Sequence, residues 1–146
     1  MKTSIGKKRL YNKNYEGMDN VVHWDVLNIK CKQDFYLDFI NTNSQYKQGV
    51  RLAVDVGEGY VEVGGYKAKG VYIWEDSFDD RIKIKCYSPE GLLSIYNVFE
   101  RNEKRMTLTD SCGMLVETTG NKTLYKCNDY GFEPNFDKLI FQIELL

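Results

Sequence analysis

Residues 81–86 alternate strictly between charged and apolar side chains, with Arg81, Lys83 and Lys85 interleaved with Ile82, Ile84 and Cys86. Successive side chains of a β-strand point to opposite faces of its sheet, so this pattern predicts a strand with one buried and one solvent-facing side. It is the least ambiguous strand in the sequence. The rest of the chain must therefore be able to join a sheet that covers an apolar interior.

The same period of two recurs along most of the chain. It is present in residues 21–26, 34–39, 50–56, 60–63, 66–74 and 139–145. Eleven Tyr and seven Phe against only two Pro point the same way, because aromatic side chains suit the half-buried surface of a sheet. We therefore predict an all-β, mainly antiparallel fold, either a β-sandwich or a barrel-like sheet of about ten strands.

Short polar breaks between these segments suggest which strands are neighbours. A break at Lys32-Gln33 separates two alternating segments, 21–26 and 34–39, and predicts that they form a hairpin. Further on, Gly64-Gly65 is a two-residue turn that accepts the positive φ values of tight hairpins. Residues 50–74 are therefore expected to form three strands in meander order.

Residues 88–99 are compatible with two structures. Ser88-Pro89-Glu90 has the residues of a helix start, with Ser as N-cap and Pro in the first turn, and apolar residues follow at helical spacing. Residues 95–99, however, are rich in β-branched and aromatic side chains. We favour a strand, with one short helix near residues 88–99 as the alternative.

The length of 146 residues is that of one domain. Residues 1–19 are rich in Lys and Arg and have little apolar periodicity, which predicts an N-terminal arm that is loosely ordered or docked. The alternating pattern starts at Val21, so residues 20–146 are expected to form a single β domain. The arm has no apolar stretch of the kind found in a secretory signal.

Composition bears on partners and location. The formal net charge is -1, so the chain lacks the broad positive field that nucleic-acid binding requires, and we expect no nucleic-acid partner. No segment approaches the roughly 18 apolar residues of a membrane span, so no membrane partner is expected. Together these features predict a cytoplasmic protein. The four cysteines, which form no CxxC pair, are then expected to be reduced and packed as small apolar residues.

Catalytic and metal-binding patterns are weak. His23 is the one histidine of the chain, and its place in an alternating segment predicts a surface or edge residue rather than a catalytic base. The cysteines lack the spacing of a zinc site. Two acidic loops, at residues 75–80 and 128–137, do not match a calcium-binding loop and are explained by turn chemistry. We therefore predict no enzyme, no cofactor and no metal.

One segment combines aromatic and acidic residues. Tyr72 and Trp74 lead directly into an acidic run, and aromatic side chains can anchor an interface while carboxylates attract and select a basic partner. The alternative is that both aromatic residues belong to the core and the run is a solvated loop. The predicted partner-binding residues are Tyr72, Trp74, Glu75, Asp76, Phe78, Asp79 and Asp80.

A small, mildly acidic, single-domain chain with these residues resembles the immunity proteins of bacterial toxin-immunity pairs. The resemblance implies a non-enzymatic inhibitor that binds a basic toxin domain stoichiometrically and covers its active or substrate-binding surface. Many such toxins are nucleases, and the carboxylates of loop 75–80 would then stand where the enzyme expects phosphates.

A different function is also compatible with the residues. Aromatic side chains in a β cleft could stack on a sugar or another small molecule, and carboxylates beside them could bind it or support hydrolysis. The residues of this alternative are Tyr60, Tyr66, Tyr72 and Trp74, with Asp55, Glu58 and Glu62. It requires a concave aromatic pocket, whereas the first hypothesis requires an exposed patch.

Overall fold

The computed structural model describes residues 7–54, 57–77, 79–133 and 135–146, and within them the chain forms thirteen β-strands and no helix. The strands are β1 (Leu10–Tyr11), β2 (Val22–Asn28), β3 (Lys32–Thr42), β4 (Lys47–Ala53), β5 (Tyr60–Val63), β6 (Tyr66–Ala68), β7 (Gly70–Trp74), β8 (Arg81–Tyr87), β9 (Leu92–Arg101), β10 (Lys104–Thr107), β11 (Gly113–Thr119), β12 (Lys122–Asn128) and β13 (Leu139–Leu145).

Eleven of the strands follow one another in a single antiparallel sheet, in the order β6-β5-β8-β3-β13-β12-β11-β2-β9-β4-β7. β1 pairs with β2, and β10 pairs with β9. The sheet curls until it is nearly closed into a barrel. Lys69 carries the chain from β6 at one edge to β7 at the other, and its carbonyl accepts the backbone N–H of Val54 at 2.9 Å. The predicted all-β, barrel-like fold is confirmed.

Alternate side chains of the strands fill the interior. In β8, Ile82, Ile84 and Cys86 are buried while the three basic residues between them are exposed, as the alternation predicts. β3 and β13 contribute in the same way, and Tyr125 of β12 stacks on Phe141 of β13 with ring centroids 4.6 Å apart. One large apolar core therefore lies inside the sheet, and a small second cluster of Tyr15, Val21 and Phe136 packs against Leu115 of β11.

Strand pairing departs from the sequence prediction in two places. β2 and β3 do not form a hairpin, because β2 pairs with β1, β9 and β11 whereas β3 lies between β8 and β13. The Gly64-Gly65 hairpin is confirmed, with φ of 57° and 81°, but it joins β5 only to β6. β7 pairs with β4 instead of continuing a meander. Alternation specifies the faces of a strand and not its partners, so these two predictions were wrong.

The alternative of a helix near residues 88–99 is wrong, and the favoured strand is confirmed as β9. The hydroxyl of Ser88 closes a tight turn instead of capping a helix, since it accepts the N–H of Leu92 at 3.0 Å and donates to its carbonyl at 2.9 Å. Gly91 within this turn has φ of 71°. Every residue from Leu93 to Phe99 is buried, because β9 is covered on both faces.

The described part of the arm, residues 7–19, is docked on the barrel. Two residues, one just before β1 and one just after it, make the main polar contacts. The Asn12 side chain donates to the carbonyls of Asp110 and Cys112, each at 2.8 Å. Arg9 donates from Nε to Asp25 at 2.7 Å. Asp25 is fully buried and also accepts the hydroxyl of Tyr125 at 2.6 Å.

We expect the Arg9→Met variant to lose roughly 1–3 kcal/mol of unfolding free energy, because it removes the cation that pairs with a buried carboxylate. Urea denaturation followed by tryptophan fluorescence measures the loss. The Lys7→Met variant removes the same charge from an exposed side chain 4.0 Å from Glu90, and should change stability by less than about 0.5 kcal/mol. Equal losses in the two variants would contradict a structural role for the Arg9 to Asp25 pair.

The turn between β9 and β10 is strained. Asn102 and Glu103 have φ of 54° and 63°, which is the left-handed pair that a two-residue hairpin turn requires. Asn tolerates this region, but Glu has a Cβ that crowds the following carbonyl. The second turn position is therefore one that glycine would fill without strain.

The Glu103→Gly variant is expected to be more stable than the parent by about 1 kcal/mol, because the left-handed strain outweighs the added freedom of the unfolded chain. Thermal unfolding by circular dichroism reports the change as a higher Tm. As a matched control, Glu117→Gly introduces glycine into β11 at a residue without positive φ, and should lower the Tm. A lower Tm for Glu103→Gly as well would show that the turn is not strained.

Candidate functional site

The loops at one end of the barrel bring the two acidic segments together. β3, β7, β9 and β12 end there and β4, β8 and β13 begin there, as the pairs Thr42 with Leu139 and Gly49 with Trp74 show. We call the described residues of segments 43–46, 75–80 and 129–138 at this end, which leave out residues 78 and 134, the acidic rim. Its carboxylates are those of Glu75, Asp76, Asp79, Asp80, Asp129, Glu133 and Asp137.

The β3–β4 connection joins the two acidic loops directly. At one side, the Thr42 hydroxyl lies 3.5 Å from Oε1 of Glu75. At the other side, Asn43 donates from its side chain to Asp137 at 2.8 Å, and the hydroxyl of Ser44 donates to Asp129. The two loops, about fifty residues apart in sequence, therefore form one continuous surface. This juxtaposition was not predicted from the sequence, because each loop was considered by itself.

The acidic residues predicted from the sequence differ in their surroundings. Glu75 is half-buried and accepts the backbone N–H of Gln48 at 2.7 Å, so it holds the loop in place. Asp76 is exposed and lies 3.7 Å from Nζ of Lys47. Asp79 and Asp80 are exposed. Phe78, the remaining predicted loop residue, lies outside the described residues.

Tyr72 and Trp74 lie beside the rim on the outward face of β7, where both are half-buried. The ring of Tyr72 is contacted by the guanidinium groups of Arg51 and Arg105, at 4.5 and 3.9 Å from its centroid. Trp74 lies flat across Gly49, where an added Cβ would come within 2.7 Å of the indole. Nζ of Lys47 is 5.1 Å from the indole centroid, so one lysine connects Trp74 to Asp76 of the rim.

Three large apolar side chains are exposed at or beside the rim. Ile40, Tyr130 and Phe132 have exposed fractions of 53%, 51% and 53%. The guanidinium of Arg101 lies 4.3 Å from the ring centroid of Tyr130, and the ring of Tyr46 meets that ring edge to face with centroids 6.3 Å apart. These residues were not predicted from the sequence, although Tyr130 and Phe132 flank Gly131 within an acidic loop.

Asp129 lines an open cavity of about 580 Å³ within the rim, together with Ser44, Tyr46, Tyr130 and Glu133. Its side chain is buried, with 2% of the residue exposed. Besides the Ser44 hydroxyl, the carboxylate accepts Nε2 of Gln48 at 2.9 Å and the backbone N–H of Tyr130 at 2.6 Å. It takes part in no ion pair among the described residues. This is unusual, because a buried charge is normally paired.

The residues of the sugar-binding or hydrolytic alternative are partly engaged with each other. Nζ of Lys67 lies 3.8 Å from the Glu62 carboxylate and 4.3 Å from the ring centroid of Tyr60. Tyr66 is exposed and Glu58 lies in the turn before β5. Asp55 lies outside the described residues. An internal lysine therefore occupies two of the groups that this alternative would use.

His23 is half-buried, and its Nδ1 lies 3.1 Å from the carbonyl oxygen of Cys112. The thiol of Cys112 is buried and accepts the Thr109 hydroxyl at 3.2 Å. Burial raises the pKa of Cys112, which disfavours the nucleophilic thiolate. Within the described residues, no three His, Cys, Asp or Glu side chains come together as metal ligands.

The four cysteines differ in exposure. Cys86, Cys112 and Cys127 are buried, as expected, but Cys31 is exposed and departs from the prediction that all four are packed. Its position between β2 and β3 explains the difference, because connections lie on the surface. Burial raises the pKa of Cys86 to about 12 and raises that of Cys127 as well.

We expect one thiol of the native protein to react rapidly with Ellman's reagent, and all four after unfolding in guanidinium. The raised pKa of the buried thiols and their lack of access both suppress their reaction. The Cys31→Ser variant should lose the rapid phase and retain its fold. Rapid reaction of two or more thiols in the native state would contradict the burial described above.

Comparisons with known proteins identify no relative: no family model, no curated protein and no solved structure matches the chain significantly. Among the described residues there is also no helix with the length and apolarity of a membrane span. What characterises the chain is its fold, an all-β, nearly closed barrel. The geometry of the acidic rim is the observation from which a function is proposed.

Proposed function

We propose that this chain is a non-enzymatic binding protein, an immunity-type inhibitor that neutralises a bacterial toxin by stoichiometric binding in the cytoplasm. The observation that supports it is the continuity of the acidic rim. Two acidic loops are linked through Thr42, Asn43 and Ser44 into one surface that also exposes Ile40 and Tyr130. Carboxylates around exposed apolar anchors suit a basic protein partner.

The anchors are partly preorganised. Tyr130 contacts Arg101 on one side and Tyr46 on another, and Trp74 is held against Gly49 with Lys47 nearby. Side chains that are ordered before binding lose less conformational entropy in the complex. Asp76 and Asp79 are exposed at the edge of the same surface, where charge accelerates encounter and selects partners.

A nuclease toxin would suit this surface. Nucleases attract phosphates with basic active sites, so a rim of carboxylates can occupy the same positive surface in competition with the nucleic acid. The inhibitor then needs no chemistry of its own, because covering the active site is sufficient. Its sheet supplies a rigid support, and its loops supply the contacts.

The test starts from the gene that neighbours this chain's gene: a toxin domain encoded there is purified and mixed with the full chain, and a neighbouring gene without a toxin domain would count against the proposal. We expect a 1:1 complex by size-exclusion chromatography with light scattering and loss of toxin activity in the complex. The Asp76→Lys, Asp79→Lys double variant should bind at least about tenfold more weakly, mainly through slower association that is sensitive to salt.

The Glu58→Lys, Glu117→Lys double variant is the matched control. It changes the net charge by the same amount at exposed positions outside the rim, and is expected to bind within about threefold of the parent. Failure to form a complex would overturn the proposed function. Equal weakening in both double variants would mean that net charge, and not the rim, governs binding.

A further inference from the structure

The cavity beside Asp129 has a surplus of hydrogen-bond acceptors. Asp129 is almost completely buried and has no ion pair within the part of the chain that the structure describes. Glu133 is exposed and lines the same cavity. Lys138 is the one basic residue among the lining residues, so carboxylates outnumber it by two to one.

Among the described residues, two buried oxygens beside the cavity, Oε1 of Gln48 and Oδ1 of Asp137, also accept no hydrogen bond. Gln48 is fully buried, and its amide nitrogen donates to Asp129 at 2.9 Å and to the carbonyl of Tyr46 at 3.1 Å. Both of these residues line the cavity, while Oε1 of the same amide has no partner. Near this wall, Oδ1 of Asp137 is also buried without a partner, although Asn43 bonds its other oxygen.

Among the described residues, the unpartnered buried oxygens of Gln48, Asn97, Asn128 and Asp137 are all acceptors, and the hydroxyl of Thr107, opposite Val98 in β9, also lacks a partner and can accept or donate. A ligand that complements them must bring donors and positive charge. The arginine guanidinium has five donors and no acceptor, and its planar group stacks on aromatic rings. The cavity provides such rings, since Tyr46 and Tyr130 both line it.

We propose that this cavity receives an arginine side chain of the protein partner, with Asp129 and Glu133 as its acceptors and Tyr46 against its plane, since Arg101 already lies over the ring of Tyr130. Three donors already occupy the Asp129 carboxylate, which leaves about one of its four lone-pair positions for the guanidinium. Glu133 supplies the second acceptor. This proposal rests on the proposed function, because the arginine comes from the protein partner. The cavity itself can be tested without the toxin.

The first experiment titrates N-acetyl-arginine methylamide into the full chain and follows backbone amide signals by two-dimensional NMR. Saturable shifts are expected for residues 43–46 and 129–133. N-acetyl-citrulline methylamide, which has nearly the same shape without the charge, should bind at least about tenfold more weakly. Equal shifts with both probes, or none with either, would overturn the proposal.

Variants locate the site. The Asp129→Asn variant keeps the shape of the side chain and should bind the arginine probe about tenfold more weakly. It also loses one internal hydrogen bond. Glu133 is exposed, so the Glu133→Gln variant should fold normally. It tests the proposal even if the Asp129→Asn variant is unstable. Glu117→Gln is the control and should bind the probe like the parent. Calcium that binds this cavity more tightly than the arginine probe would overturn the proposal in favour of a metal site.

The outcomes separate this inference from the proposed function. If the arginine probe binds and the neighbouring toxin does not, the cavity stands and the toxin-inhibitor function fails. If the toxin binds and is sensitive to Asp76 and Asp79 but indifferent to Asp129→Asn and Glu133→Gln, the arginine site fails alone. If the complex uses the site, replacing one arginine of the toxin should weaken binding as much as the cavity variants do. Combining that replacement with a cavity variant should weaken binding no further.

Discussion

The structure depends on burying alternate side chains of many distant strands in one interior. A single strand adds little stability by itself, because bringing distant segments together costs conformational entropy. The free energy gained when closure removes apolar surface from water offsets this cost. Near-closure of the sheet meets this requirement. β9 illustrates it best, because it is buried from Leu93 to Phe99 and pairs with three strands, β2, β4 and β10.

Among the residues that the structure describes, the two buried acidic residues, Asp25 and Asp129, have different partners. Asp25 receives the guanidinium of Arg9 and the hydroxyl of Tyr125, so the charge is satisfied internally and the N-terminal arm is tied to the barrel. Asp129 receives only neutral donors. A buried carboxylate without a cation is costly for stability. Under the proposal of an arginine site, the partner supplies the cation that Asp129 lacks.

Antiparallel topology explains why the candidate site lies where it does. Each connection between consecutive antiparallel strands lies at one of the two ends of the barrel. Loops that are far apart in sequence can therefore lie side by side at the same end. Contacts of Thr42, Asn43 and Ser44 then join segments 75–80 and 129–138 into one surface. The strands beneath hold the loops, while the loops are free to carry the charges and aromatic groups that determine specificity.

The sequence by itself determined the all-β class, the buried and exposed faces of strands such as β8, the Gly64-Gly65 turn and the acidic character of two loops. These features are local, because side-chain alternation and turn chemistry are decided within a few residues. Only the tertiary structure decided that β2 pairs with β9, that β7 pairs with β4, and that Asp129 is buried beside Ser44 and Gln48. Those relations join residues distant in the chain, and a period of two is the same whichever strand lies alongside.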